Sequence, residues 1–138
     1  MHYAAKKDNR STLKLLLNKY KLNINSKAVT GTPLHVAADV GNLEVVKLLV
    51  NKGANINFKA GEANTTPLIL AARRGFFDIC DFLVANQAQV NLSDDSGWTA
   101  LYSAAEMGFQ NIVQFFLEKD ANPDQPTIDG NNTHTLKI

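Results

Sequence analysis

The sequence predicts an all-α protein built as a stack of helix pairs, because one short pattern recurs three times at nearly constant spacing. Residues 32–35, 66–69 and 99–102 read TPLH, TPLI and TALY, so their threonines lie 34 and then 33 residues apart. After one further residue each phrase is followed by an Ala-Ala pair, then three residues later by a glycine, and then by an apolar run. A period in the low thirties indicates that each unit is one supersecondary element, which buries its apolar face only against its neighbours.

Each unit contains the signals of a short first helix and a longer second helix. Threonine is a favourable helix N-cap, proline fits just inside a helix start, and glycine suits the left-handed conformation that ends a short helix. The Ala-Ala pair keeps the first helix thin, so that adjacent units can approach closely. The run after the glycine has the 3.6-residue spacing of an amphipathic helix. In the second unit this run consists of Leu43, Val45, Val46, Leu48 and Leu49.

Composition restricts the classes of protein to which the chain can belong. Its 138 residues, 45% of them hydrophobic, suffice for one domain with a buried core. A formal net charge of +1 gives no field that would draw the protein to nucleic acid or to an anionic membrane. No apolar stretch reaches the roughly 18 residues of a membrane helix, residues 1–7 lack a signal-peptide core, and the single cysteine suits a reducing compartment. We therefore expect a cytoplasmic protein, with a nuclear location left open, that binds neither membranes nor nucleic acid.

The combined pattern resembles the ankyrin repeat, and the resemblance covers nearly the whole chain. It implies an ankyrin-repeat solenoid, in which helix-turn-helix units of about 33 residues are joined by β-turn fingers. We expect a single domain over residues 1–138. Its predicted parts are a truncated first repeat at 1–25, further repeats at 26–57, 58–91 and 92–124, and the start of a fifth repeat or a C-terminal cap at 125–138. Because the first unit begins in mid-helix and the fourth has no complete neighbour, we expect a piece of a longer repeat array; the alternative is that the tail folds back as a cap.

Several positions depart from the glycine pattern of the family. Gln87 and Asp120 stand where Gly53 ends the second helix of its unit, and Asn64 stands where a finger glycine is usual. Asparagine tolerates a positive φ angle, so we expect the third finger to turn normally. In the second finger Gly31 comes one residue later than usual, which predicts an irregular turn.

The chain offers few candidates for catalysis or for metal binding. His35 lies in the TPLH phrase, and the resemblance implies that its ring hydrogen-bonds the threonine and nearby backbone. His2 takes the same place in the first unit and His134 lies in the tail, with no carboxylate or thiol beside them at zinc-ligand spacing. Cys80 replaces the valines of the other second helices, so we expect it to be a small buried apolar residue. We predict no catalytic, cofactor-binding or metal-binding residues, and hence no enzyme activity.

The resemblance also implies where a partner would bind. In the family the finger tips and the exposed side of the first helices form a concave groove that binds proteins. The matching positions of this chain supply the predicted partner-binding residues, which are Val40, Arg73, Arg74, Trp98, Glu106 and Met107. Trp98 either anchors a partner or merely covers neighbouring residues of its own unit. Arg73 and Arg74 either complement the negative end of their helix or flank an acidic or phosphorylated peptide.

Three functions fit the sequence, and the first is preferred. It is that of a non-catalytic protein-protein interaction module or scaffold, acting as a monomer, whose partner protein the sequence does not identify. The alternative is a targeting domain of a larger enzyme or effector whose catalytic part is absent from this chain. A remote alternative is nucleotide or nucleic-acid binding, which the mixed charges of the groove disfavour because tracking a phosphate backbone requires a run of cations.

Overall fold

The computed structural model describes residues 31–61 and 63–122, which form six α-helices arranged in three pairs. The first helices of the pairs are α1 Pro33–Val40, α3 Pro67–Arg74 and α5 Ala100–Glu106, and the second helices are α2 Leu43–Asn51, α4 Phe77–Ala85 and α6 Gln110–Glu118. The predicted all-α fold with paired helices is confirmed. No helix within this part of the chain is long and apolar enough to cross a membrane. The predicted first repeat and the tail at 125–138 lie outside the described residues, so their bounds stay predictions.

The helices are arranged in two layers. The first helices, which we call the inner helices, pack side by side in the order α1, α3, α5, and each also packs against the second helix of its own pair. The second helices, which we call the outer helices, contact one another in the order α2, α4, α6. The leucines of the three recurring phrases lie between the layers, where Leu34, Leu68 and Leu101 are at most 2% exposed. The core is therefore continuous from one pair to the next.

The three threonines cap the inner helices, as predicted. The hydroxyl oxygens of Thr32, Thr66 and Thr99 accept hydrogen bonds from the backbone amides three residues later, at 3.4, 3.2 and 3.1 Å. These contacts satisfy amides that have no partner within the helix itself, and each such cap stabilises a helix by about 1 kcal/mol. At the other end Gly41 and Gly75 adopt left-handed conformations, with φ angles of 86° and 83°. The predicted starts of all three inner helices and the glycine ends of α1 and α3 are confirmed, whereas the C-cap of α5 is Met107, one residue before Gly108.

Phenylalanine rings cover the glycines that follow the first two inner helices. A Cβ atom on Gly41 would lie 2.7 Å from the ring of Phe76, and one on Gly75 would lie 2.8 Å from the ring of Phe109. Each phenylalanine belongs to the next unit, so its ring packs across the junction between two units. Glycine is therefore required here for the close approach of the ring as well as for its positive φ angle.

The three predicted substitutes for glycine adopt positive φ angles. The φ angle is 74° at Gln87 and 66° at Asp120, so both residues follow their outer helices in the left-handed conformation that Gly53 adopts at 93°. Asn64 has a φ angle of 52° in the third finger. In the described ranges the fingers carry isolated antiparallel bridges instead of a sheet, one between Ala60 and Thr65 and another between Ser93 and Thr99. Most of the second finger lies outside the described residues, so the predicted irregularity beside Gly31 is not addressed.

Candidate functional site

The ends of the inner helices carry five of the six predicted binding residues. We call the two positions before each inner-helix glycine the helix-end positions; they are occupied by Asp39 and Val40, by Arg73 and Arg74, and by Glu106 and Met107. Of the five, Val40 and Arg73 are half-buried, whereas Arg74, Glu106 and Met107 are exposed. Because the three inner helices lie side by side, these positions form one row along the same edge of the molecule.

Within the helix-end row, an ion pair joins α1 to α3. The Nε atom of Arg74 lies 3.0 Å from Oδ1 of Asp39, and its Nη2 atom lies 3.4 Å from Oδ2. The hydrogen bond to Asp39 raises the pKa of the guanidinium above its ordinary value. Both side chains are partly exposed, so the pair contributes about 0–1 kcal/mol to stability. Arg74 therefore has a partner within the molecule, in addition to its favourable place in the last turn of α3.

Sequence reasoning named Arg74 as a binding residue but missed its contact with Asp39. The pair joins positions 35 residues apart, one more than the 34-residue repeat between these units. Comparing only equivalent positions places Asp39 opposite Arg73 and hides the diagonal contact. The opposite charges at neighbouring helix-end positions were the feature of the sequence that could have indicated this contact.

The row is different between α3 and α5. When equivalent positions of successive units are compared, Arg73 stands where Asp39 stands at the first junction, and Met107 stands where Arg74 does. Met107 is 53% exposed, the large apolar residue that stands out on the surface of residues 31–61 and 63–122. Among these same residues Arg73 forms no ion pair. The junction between α3 and α5 thus has a cation and a thioether at the positions where the junction between α1 and α3 has an ion pair.

Trp98 lies at the opposite end of α5 from Met107. It comes just before the N-cap Thr99, so the seven residues of α5, roughly 10 Å of helix, separate the two side chains. Its indole is half-buried and packs edge to face on Tyr102, with ring centroids 4.7 Å apart. Its backbone amide donates to Oδ1 of Asp94 at 3.0 Å. The indole does cover a residue of its own unit, and its part in binding stays a prediction.

His35 is a structural residue and connects two units. Its Nδ1 atom lies 2.8 Å from the hydroxyl of Thr32, and its Nε2 atom lies 2.8 Å from the carbonyl oxygen of Thr65. The backbone amide of Thr32 also donates to Nδ1, so the ring accepts at Nδ1 and donates from Nε2 as a neutral imidazole. Burial lowers the pKa of the ring, which favours that neutral form. The predicted hydrogen bonds to threonine and backbone are confirmed.

Cys80 is a core residue, as predicted. Its side chain is fully buried in the hydrophobic core, and burial raises the pKa of the thiol to about 12. A neutral thiol without access to solvent is neither a nucleophile nor a metal ligand. Within the described ranges, no group of three histidine, cysteine or acidic residues is placed to hold a metal ion.

The chain matches a family model over most of its length. Residues 1–60 and 59–127 match the model described as "Ankyrin repeats (3 copies)". The chain belongs to the ankyrin repeat family. Ankyrin repeats are generally protein-interaction modules.

Its curated relatives are longer ankyrin-containing proteins of diverse kinds. The chain is 36% identical over 111 residues to the glycerophosphocholine phosphodiesterase gde1 of Schizosaccharomyces pombe. The aligned region covers 80% of the chain and 9% of that protein. The chain is 37% identical over 122 residues to the alpha-latrotoxin-Lh1a of Latrodectus hasselti, covering 86% of the chain and 9% of the toxin. It is 30% identical over 134 residues to the palmitoyltransferase AKR1 of Kluyveromyces lactis, covering 91% of the chain and 18% of that protein. The chain thus spans less than a fifth of the length of each.

Proposed function

We propose that this ankyrin-repeat chain is a non-catalytic module that binds a partner protein through the helix-end row and the neighbouring fingers. The observation that carries the proposal is the exposed Met107 on α5, together with an Arg73 on α3 that forms no ion pair with any residue of 31–61 and 63–122. A rigid surface loses little conformational entropy when a partner binds, which favours affinity. The module acts as a cytoplasmic monomer, binds neither nucleic acid nor membranes, and has no catalytic activity of its own.

Site-specific photo-cross-linking tests the proposed binding surface. A benzophenone amino acid is placed at Met107, and in a control protein at Gln114, an exposed residue of α6 in the outer layer. We expect a cross-linked partner from the Met107 position only, with yield suppressed by excess unmodified protein but not by excess Arg73→Glu protein. Equal cross-linking from both positions would show that binding is not directed to the helix-end row.

A second function is favoured by the lengths of the relatives. Proteins named as a phosphodiesterase and a palmitoyltransferase contain the matching region as a small fraction of their chains. We propose, as the alternative, that the module is the targeting part of a larger enzyme or effector. In either case the chain alone is expected to be inactive, which incubation of the purified protein with glycerophosphocholine checks. Release of choline or glycerol phosphate would contradict the non-catalytic assignment.

Oligonucleotide titration at increasing salt tests the exclusion of nucleic acid. The ion pair between Asp39 and Arg74 places a carboxylate beside the arginines of the helix-end row, which opposes the approach of a phosphate backbone. We expect no binding at physiological ionic strength. Tight binding that weakens steeply with salt would support the remote alternative instead.

A further inference from the structure

The two junctions between inner helices offer different chemistry at the same place in the repeat. Between α1 and α3, the side chain of Arg74 reaches back to the carboxylate of Asp39. Between α3 and α5, the equivalent side chains are those of Met107 and Arg73, which cannot form an ion pair. Among the described residues, the guanidinium of Arg73 therefore has no carboxylate partner of the kind that Arg74 has. A carboxylate brought by another molecule would complete the second junction as Asp39 completes the first.

Glu106, the acidic residue at the end of the neighbouring helix α5, does not form an ion pair with Arg73. Glu106 stands on α5 at the position equivalent to Arg73 on α3, and it is exposed. In the described part of the chain, ion pairs join Lys47 to Glu44 and Arg74 to Asp39, and Glu106 takes part in neither. No carboxylate within residues 31–61 and 63–122 therefore occupies Arg73, although an acid stands on the neighbouring helix.

An exposed apolar side chain occupies the other position of this junction. Met107 is 53% exposed and stands where Arg74 stands at the first junction. A single exposed apolar residue is common on protein surfaces and would carry no conclusion alone. Here the repeat places it opposite Arg73, as it places Arg74 opposite Asp39 at the first junction, so a cation and an apolar side chain share one junction.

We propose that the junction formed by Arg73 and Met107 binds a peptide segment in which an acidic residue stands close to an aromatic or large aliphatic residue. The carboxylate pairs with Arg73, which can present two N–H donors in the geometry that a carboxylate accepts. The apolar side chain packs on Met107, since thioethers adapt to irregular shapes and contact aromatic rings favourably. This inference rests on the proposed function and names the chemistry of the partner.

A phage-displayed library of random nine-residue peptides tests the composition of the segment. The library is selected on the purified protein, and enriched peptides are synthesised and titrated by fluorescence anisotropy. We expect enriched sequences to carry aspartate or glutamate within a few residues of phenylalanine, tyrosine, leucine or methionine. Enrichment of peptides without an acidic residue would overturn the proposal. So would a selection that enriches nothing, and the proposed function would then be judged by the cross-linking result alone.

Two neighbouring arginines provide a matched pair of variants. Arg73→Gln should weaken the enriched peptides about tenfold or more, because the charge-assisted hydrogen bonds are lost. Arg74→Gln should leave affinity nearly unchanged, because Arg74 is already paired with Asp39. Met107→Ala should weaken aromatic peptides about fivefold and should affect peptides with a small residue in that place less. Equal losses for the two arginine variants would overturn the proposal, and circular dichroism melting of each variant separates lost binding from lost folding.

Discussion

At the scale of single residues, the left-handed positions show how the family pattern is kept without its glycines. Gln87 and Asp120 adopt φ angles of 74° and 66°, which cost a residue with a Cβ atom about 1 kcal/mol. We expect Gln87→Gly and Asp120→Gly each to raise the free energy of unfolding by somewhat less than this. The greater freedom of glycine in the unfolded chain offsets part of the gain. Thermal melts of the two variants measure the difference.

The cost of placing a residue with a Cβ atom in the left-handed conformation can also be measured at Gly53, by replacing the glycine with alanine. Its φ angle is 93°, and a Cβ atom there meets nothing within 4 Å in the described part of the chain, so Gly53→Ala introduces backbone strain without a clash. This control should lower the melting temperature. If both glycine variants also melted lower than the parent protein, strain at these helix ends would not be the dominant effect.

The pH dependence of stability should report on His35. Burial lowers the pKa of its ring below 6.5, so the unfolded state binds a proton at a higher pH than the folded state. The stability contributed by the neutral ring is complete above about pH 6.5 and declines as the pH falls below that value. Protonation at Nδ1 would also remove the acceptor that Thr32 uses. We therefore expect the melting temperature to fall between about pH 7 and pH 5.

His35→Gln provides the control for that titration. This variant removes the titrating ring, so its melting temperature should start lower and depend less on pH over the same interval. An identical pH dependence in both proteins would assign the effect to other groups.

At the scale of elements, asparagine side chains bind each unit to the next along the loops. Oδ1 of Asn57 accepts from the backbone amide of Gln89 at 2.7 Å, while its Nδ2 donates to the carbonyl of Gln87 at 3.3 Å. Asn91 makes the same two contacts one unit later, with the amide of Asn122 and the carbonyl of Asp120. The loops that end α4 and α6 are therefore each held by a residue of the preceding unit.

Removing one of these side chains should weaken the coupling between units. We expect Asn57→Ala to lower the free energy of unfolding by about 1 kcal/mol, because two solvent-accessible hydrogen bonds are lost together. Asn51→Ala is the matched control, since Asn51 is an exposed asparagine at the end of α2 where alanine favours the helix. Denaturant titration compares the two variants. A larger loss for Asn51→Ala than for Asn57→Ala would contradict a coupling role for the loop asparagines.

Sequence reasoning found the helices more readily than the contacts between units. Thr32 and Gly41 mark the bounds of α1 through local effects, a side-chain cap and a positive φ angle, and such effects can be read from residue types. The ring of Phe76 over Gly41 and the amide contacts of Asn57 depend on how consecutive units are placed. That placement is not contained in the spacing of a single repeat, so these contacts became apparent only with the structure.

At the scale of the whole molecule, stability and binding both depend on junctions between units. In a repeat array the free energy of folding is close to a sum of unit terms and nearest-neighbour terms. Asp39 and Arg74 form an ion pair at the junction between α1 and α3, whereas at the next junction Met107 is exposed and Arg73 forms no ion pair with a described residue. The sequence predicted the residues of this surface from the repeat pattern. It could not predict which cation was already paired, because the pair lies on a diagonal between units.

Trp98 tests whether a partner uses the whole length of α5. Its indole lies at the start of this helix and packs on Tyr102, while the helix-end row lies at its other end. Loss of the aromatic pair in Trp98→Ala should cost about 0.5–1.5 kcal/mol of stability. If the partner also contacts the indole, affinity should fall by about 2 kcal/mol or more, roughly thirtyfold, for the same partner that Arg73→Gln weakens.

Trp98→Phe separates packing from binding. A phenyl ring at this position can keep an aromatic contact with Tyr102 but presents less surface to a partner, so the variant should recover most of the stability and only part of the affinity. Isothermal titration with the partner that cross-linking identifies gives the affinity of each variant, and thermal melts give its stability. If Trp98→Ala lowered stability and spared binding, the indole would be a packing residue. The partner would then be held at the helix-end row, without contact at the start of α5.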